Sequence, residues 1–211
     1  MSNDTVSLFL AMLAVLALLF VVGVAVVAVI SRTRGLGPGL ASLRDAVSDA
    51  SLLLALAVAT TCTLGSLYMS EVRHFVPCDM CWYQRIAMYP LVVILLVAVL
   101  RRDRAVWRYV LPLALIGAAV STYHYLHERF PESVSTSCSL EASCSTLWIW
   151  EFHFLSIPGM AWVGFVTIAT LMLIARSAIR RDDALAADAP DPDAPAEVVD
   201  PNATETEEVP A

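Results

Sequence analysis

The chain has 211 residues, of which 58% are hydrophobic, and its mean hydropathy is +0.70. This composition excludes a water-soluble globular domain and is typical of a polytopic membrane protein. The formal net charge is −7. The acids from Asp182 onward, which have no base among them, account for it. A chain of this charge is expected to have no nucleic-acid partner.

Five apolar stretches are long enough, or nearly so, to cross a bilayer as helices, which takes about 20 mostly apolar residues. In chain order they are Leu8–Ile30, Ala50–Met69, Trp82–Leu100, Tyr109–Leu126 and Ile157–Ala175. None of these stretches has an acid in its middle. The one Arg that the five stretches contain is Arg85, near one end of the third stretch. The sequence therefore predicts an all-α membrane protein in the lipid bilayer.

The Arg residues predict the orientation of these spans, because positively charged loops stay in the cytoplasm. Ten of the 13 Arg follow the first, third or fifth span: Arg32, Arg34, Arg44, Arg101, Arg102, Arg104, Arg108, Arg176, Arg180 and Arg181. We therefore expect a multi-pass protein of the plasma membrane with its amino terminus outside and its carboxyl tail in the cytoplasm. The loops 70–81 and 127–156 then lie outside.

The spans and the composition predict three parts. Residues 1–49 hold an additional N-terminal transmembrane helix and an Arg-containing linker; we expect this helix to be retained, because Asp4 precedes it and a signal peptide starts with positive charge. Residues 50–181 form a four-helix transmembrane bundle. Residues 182–211 form an acidic, Pro- and Ala-rich tail, which has too few large apolar residues to order itself.

The stretch "FVPCDMCWYQR", residues 75–85, places Cys78 and Cys81 three apart. Such a pair can bind a metal, attach a haem or cycle through a disulfide. A c-type haem needs His directly after the second Cys, where Trp82 stands. A structural zinc site needs four ligands, and the cysteines of the second outer loop could supply the rest. Disulfide chemistry fits an oxidising outer space better, and the metal alternative stays open.

Cys81 is expected in the first turn of the third helix, where free backbone amides stabilise a thiolate. Arg85 follows four residues later on the same face and adds a positive charge. Alternatively, Arg85 extends toward the lipid headgroups.

The second outer loop carries Cys138 and Cys144 in "SCSLEASC". A disulfide in a short exposed loop is easily reduced, which suits a relay of thiol–disulfide exchange. The alternative is a disulfide that only stiffens the loop. Cys62 lies in the middle of the second span, where we expect a small apolar residue without a redox role.

The string "PCDMCWYQRIAMYP" resembles the signature of the DsbB family of quinone-linked membrane disulfide oxidoreductases, and most of all its BdbC-like branch. Residues 50–176 follow that family's order of helices and cysteine loops. The resemblance implies a thiol:quinone oxidoreductase that reoxidises an extracytoplasmic thioredoxin-fold (DsbA-like) dithiol oxidase. It would pass the electrons to the membrane quinone pool, ubiquinone or menaquinone, and so support disulfide formation in exported proteins. No metal is expected.

The resemblance also implies the roles of individual residues. The catalytic cysteines would be Cys78, Cys81, Cys138 and Cys144, with the partner attacking Cys138 and Cys81 delivering electrons to the quinone. Gln84, Arg85 and His124 would contact the quinone, although His124 could instead be a satisfied histidine between helices. His127, one turn further, is expected to face water. The remaining alternative is a structural membrane protein with two inert disulfides.

Overall fold

The computed structural model describes residues 3–34, 37–130, 149–152 and 155–188. Its five long helices are α1 (Asn3–Arg34), α2 (Pro38–Leu67), α3 (Asp79–Arg101), α4 (Trp107–Arg129) and α5 (Ile157–Ala187). Within the described part of the chain, all five are long and apolar enough to cross a membrane. The prediction of an all-α membrane protein with four bundle helices and one additional N-terminal helix is confirmed.

All five helices extend beyond the predicted spans, and α2 and α5 extend the furthest. α2 begins at Pro38, a residue well suited to the first helical position, and α5 ends at Ala187. The first residues that we assigned to the tail, among them Asp182, are therefore helical. Apolar length marks only the part of a helix inside the lipid, whereas Asp182 lies beyond it and pairs with Arg104 at 3.6 Å. Residues 189–211, the rest of the predicted tail, lie outside the described residues.

α5 is the central helix of the bundle. It packs against α4, α2 and α1, while α2 contacts α3 and α3 contacts α4. The largest fully buried side chains come from α3, α4 and α5: Leu91, Leu95, Val110, Phe165, Ile168, Leu171 and Met172. A Cβ atom at Gly117 would lie 2.2 Å from Cε1 of Phe165, so the absence of a side chain there lets α4 approach α5 closely, as small residues do in membrane bundles.

The link from α2 to α3 begins with a π-helical turn over Tyr68–Val72. The amide of Arg73 donates to the carbonyl of Tyr68 at 3.1 Å, which closes the wider i to i+5 ring of a π-turn. A segment without regular secondary structure, in which His74 has a φ of 55°, then runs to Cys78, directly before α3. The π-turn and this segment together position the first cysteine of the pair.

Candidate active site

The start of α3 holds the first cysteine pair. Cys78 is the N-cap residue with an extended backbone, and Cys81 lies in the first helical turn, as the sequence predicted. The carbonyl of Cys78 accepts a hydrogen bond from the amide of Trp82 at 3.1 Å. Because residues three apart face the same side of a helix turn, the two Sγ atoms come within 3.1 Å of each other. Both are thiols in this structure.

His124 of α4 reaches the first cysteine. Its Nε2 lies 3.6 Å from Sγ of Cys78, and its Nδ1 lies 3.1 Å from Nε2 of Gln84. All three side chains are buried. The Gln84 amide donates to Nδ1, so the proton of a neutral imidazole is on Nε2. The imidazole can therefore donate a hydrogen bond to a Cys78 thiolate.

The environment of Cys78 favours its thiolate. The hydrogen bond from the Cys81 thiol, with a smaller contribution from His124 and against the effect of burial, lowers the pKa of Cys78 to about 4. The sequence predicted the thiolate at Cys81, next to Arg85. The thiolate at Cys81 stays a prediction, and the contact from α4 is to the other sulfur, since Nε2 of His124 lies 3.6 Å from Sγ of Cys78.

The guanidinium of Arg85 turns toward α2. Nε donates to Oγ of Ser66 at 3.0 Å and Nη2 donates to the Ser66 carbonyl at 3.2 Å. Cζ also lies 5.3 Å from the centre of the Trp82 ring, a cation–π distance. The hydroxyl of Tyr89 donates to the same Ser66 oxygen at 3.3 Å. These contacts hold the guanidinium inside the bundle, so the alternative of a side chain directed at the headgroups does not apply.

One cavity of about 330 Å³ joins these groups. Five of the predicted site residues line it: Cys78, Cys81, Gln84, Arg85 and His124. The rest of the wall is mostly apolar and comes from all five helices, with Met88 and Phe165 among its members. An apolar cavity of this size with a few converging polar groups is typical of a small-molecule site.

The comparison with known proteins identifies the family. Residues 48–175 match the family model described as "Disulfide bond formation protein DsbB". The chain belongs to the DsbB family. It is therefore a multi-pass membrane protein of disulfide bond formation, and the family implies disulfide oxidoreductase activity. The resemblance that we noted in the sequence is confirmed.

Curated relatives cover the same region. "Disulfide bond formation protein C" of Bacillus subtilis (strain 168) is 47% identical over 118 residues, which are 56% of this chain and 86% of that protein. "Probable disulfide formation protein C 2" of Bacillus anthracis is 42% identical over 123 residues, 58% of this chain and 88% of that protein. No solved structure matches the chain.

The carboxyl end of α4 differs from the prediction for this DsbB-family chain. The expectation that His127 faces water is wrong, since its exposed fraction is 8%. α4 continues to Arg129, whose Cζ lies 5.0 Å from the centre of the Trp150 ring, so the segment before α5 covers this end of the helix. The sequence shows that Trp150 is apolar, but it does not show that its ring packs against Arg129 of α4.

Glu128 is a cavity residue that we did not predict. Its side chain lines the cavity and is only 7% exposed. The signal that could have found it is the string "HYLHER", which places an acid one helical turn after His124. Ser66 was missed as well, because nothing in the sequence shows which residue of α2 faces Arg85.

The remaining cysteines divide into two groups. Cys138 and Cys144 lie outside the described residues, so their part in the relay stays a prediction. Cys62 lines the cavity from α2, and a Cβ atom at Gly164 would lie 2.6 Å from its Sγ. It thus packs against α5 as a small apolar residue would, and its lack of a redox role stays a prediction.

The metal alternative has a geometric basis. Ligand atoms of Cys78, Cys81 and His124 all lie within 4.8 Å of one another. Three ligands are one short of a closed zinc site, and among the described residues no fourth His, Cys, Asp or Glu joins the group. A metal would need a further ligand from the outer loop or from solvent.

Proposed function

We propose that this protein is a thiol:quinone oxidoreductase. It reoxidises an extracytoplasmic thioredoxin-fold dithiol oxidase of the DsbA type and passes two electrons to ubiquinone or menaquinone, so that exported proteins acquire disulfides. One observation carries the proposal: Cys78 and Cys81 line the same cavity as Arg85 and His124. The two sulfurs of the pair lie 3.1 Å apart. The catalytic unit is residues 50–181.

The relay consists of two exchanges that each conserve electrons and protons. A thiolate of the partner attacks the Cys138–Cys144 disulfide at Cys138, and the second partner thiol completes the exchange, leaving an oxidised partner and a Cys138–Cys144 dithiol. This dithiol then reduces the Cys78–Cys81 disulfide by the same chemistry. Two electrons and two protons have then moved from the partner to the pair at the start of α3.

The two sulfurs of this pair have different neighbours that favour a thiolate. His124 lies against Cys78, and Arg85 follows Cys81 by four residues on the same face of α3. When Cys78 is engaged in a disulfide with the outer loop, Cys81 is the sulfur left free, and Arg85 is the cation that stabilises its negative charge. We therefore assign exchange with the loop to Cys78 and delivery of electrons to Cys81.

The cavity suits a quinone. A bound quinone supplies the acceptor for the two electrons and two protons that are released when the dithiol closes to a disulfide. Apolar walls match its ring, and Arg85 has more N–H groups than the two that Ser66 accepts, so it can also donate to a carbonyl oxygen. Gln84 binds His124, and we assign it the task of orienting the imidazole.

The proposed topology has both cysteine pairs outside and the tail in the cytoplasm. Arg104 pairs with Asp49 of α2 and Asp182 of α5, and Arg181 pairs with Asp45. The amino end of α2, the turn before α4 and the carboxyl end of α5 therefore meet at the end of the bundle away from Cys78, where several Arg lie. This arrangement supports a cytoplasmic location for that end by the positive-inside rule.

The decisive experiment mixes purified protein with a reduced thioredoxin-fold dithiol oxidase and a quinone, and follows the quinone absorbance. We expect one quinone to be reduced per partner oxidised, and no reduction with Cys138→Ala. Stoichiometric zinc uptake by the reduced protein without quinone reduction would favour the metal-transfer alternative. If Cys78→Ser leaves disulfide formation in exported proteins unchanged, both disulfides are inert and the proposal is wrong.

A further inference from the structure

α1 borders the cavity although it lies outside the part of the chain that matches the DsbB family. The match begins at residue 48, whereas α1 ends at Arg34. Four α1 residues nevertheless line the cavity together with the cysteine pair: Leu10, Leu13, Ala14 and Ala17. α1 therefore adds a wall to a site whose described polar groups all come from the other helices.

Specific contacts hold this wall in place near the thiol end of the bundle. The hydroxyl of Ser7 donates to Oε1 of Glu151 at 3.2 Å, which ties α1 to the segment before α5. Ala11 is fully buried. A Cβ atom at Gly65 would lie 3.3 Å from Cδ1 of Leu10, so this side chain of α1 reaches α2 where α2 lacks a side chain. The main packing partner of α1 is α5.

The opposite face of α1 meets the lipid. Leu16 and Leu19 are 61% and 62% exposed, as expected for side chains that point into a bilayer. The cavity face carries Ala14 and Ala17, which are half-buried, and Leu13, which is 36% exposed. A larger side chain at position 14 or 17 would therefore occupy the cavity rather than extend into the lipid.

We propose that α1 is the wall that selects the quinone by the width of its ring system, with Leu13, Ala14 and Ala17 in contact with the bound ring or the start of its tail. The proposal rests on the quinone function proposed above. A side chain added to a well-packed pocket excludes part of its ligand. A fused two-ring naphthoquinone needs a wider cavity than a single-ring benzoquinone. A larger side chain on α1 should therefore weaken the binding of the naphthoquinone more than that of the benzoquinone.

The test compares Ala14→Phe with Ala25→Phe, which adds the same bulk at an exposed position of the same helix. Binding of a benzoquinone and a naphthoquinone to the full-length protein in detergent is measured by quenching of tryptophan fluorescence, which requires no turnover. We expect Ala14→Phe to weaken binding by about tenfold or more, the usual effect of a misfit in an apolar pocket. The naphthoquinone should lose more, and Ala25→Phe should bind as the wild type does.

A second variant acts in the opposite direction. Leu13→Ala widens the wall, and we expect it to shift the ratio of the two dissociation constants toward the naphthoquinone. It also keeps the test valid if Ala14→Phe does not fold, which size-exclusion chromatography and far-UV circular dichroism would show. Unchanged dissociation constants in both folded variants, or an equal loss in Ala25→Phe, would overturn the role of α1. Failure of the wild type to bind either quinone would instead overturn the proposed function.

Discussion

The two ends of the bundle are held together by different kinds of polar contact. At the thiol end, Cys78, Gln84 and His124 are at most 7% exposed and contact each other in a chain. At the opposite end, Arg104 pairs with Asp49 at 2.7 Å, yet their side chains are 37% and 73% exposed. Buried polar contacts determine protonation and orientation, whereas exposed ion pairs contribute little. Substitutions at the two ends should therefore differ in kind as well as in size.

The largest effect is expected from Cys81→Ser. Without this sulfur the pair cannot form its disulfide, so we expect quinone reduction by the reduced partner to fall at least about a thousandfold, as for the loss of a nucleophile. Cys62→Ser is the matched control, because Cys62 lines the same cavity without a predicted redox role. A comparable loss in both variants would contradict the assignment of chemistry to the pair in α3.

The next largest effect is expected from Arg85→Met, which keeps much of the side-chain volume and removes the charge. We expect a loss of about a hundredfold in quinone reduction, the magnitude found when a charge-stabilising donor is removed from an active site. Ser66→Ala removes the hydroxyl that accepts from Nε but keeps the carbonyl, and should cost about tenfold or less. If Ser66→Ala is as damaging as Arg85→Met, the contact between the guanidinium and Ser66 of α2, and not the charge of Arg85 toward a quinone, explains the loss.

A moderate effect is expected on the acidity of Cys78. Its pKa is lowered to about 4 from an ordinary value of 9.0, so the thiolate persists at neutral pH and is lost only as the pH falls toward 4. In the reduced protein, the rate of Cys78 alkylation, followed by peptide mass spectrometry, should therefore be nearly constant above about pH 6.

His124→Ala removes the second contribution to this low pKa, so the midpoint of the alkylation profile should move upward. Cys81→Ser should move it further upward if the replacement hydroxyl donates less effectively, because the Cys81 thiol makes the larger contribution. A Cys78 midpoint near 9 in the wild type would contradict these contacts.

The smallest effect is expected at the opposite end of the bundle. Arg104→Ala removes two exposed ion pairs, and we expect the free energy of unfolding to change by no more than about 1 kcal/mol. Quinone reduction should be unchanged. The measurement is thermal unfolding in detergent at low and high salt, with the difference between variant and wild type shrinking as salt rises. A large loss of activity would show that this end communicates with the thiols.

The features predictable from the sequence depend on local pattern. Apolar length identified all five spans, and the spacing of Cys78 and Cys81 before a helix placed both sulfurs at its start. The family resemblance brought Arg85 and His124 to the same site as the cysteines. What it did not reveal is which sulfur His124 contacts, because that distance depends on how α4 packs against α3.

The features that escaped prediction depend on packing between distant segments or on helix ends outside the lipid. Ser66 has no local signal for the cavity, and Glu128 has only its spacing of one helical turn from His124. The sequence of α1 has the pattern of an ordinary apolar span and does not indicate that it lines the cavity. α5 continues through Asp182, which lies 3.6 Å from Arg104, beyond the apolar stretch that hydropathy detects.

The π-turn over Tyr68–Val72 adds length to the link between α2 and α3. Such a turn accommodates one residue more than an α-helical turn of the same rise. Deleting one residue there would restore α-helical hydrogen bonding in this turn but shorten the chain between Tyr68 and Cys78 by one residue. The extra residue is therefore part of the length of chain that lets Cys78 come within 3.6 Å of His124 on α4.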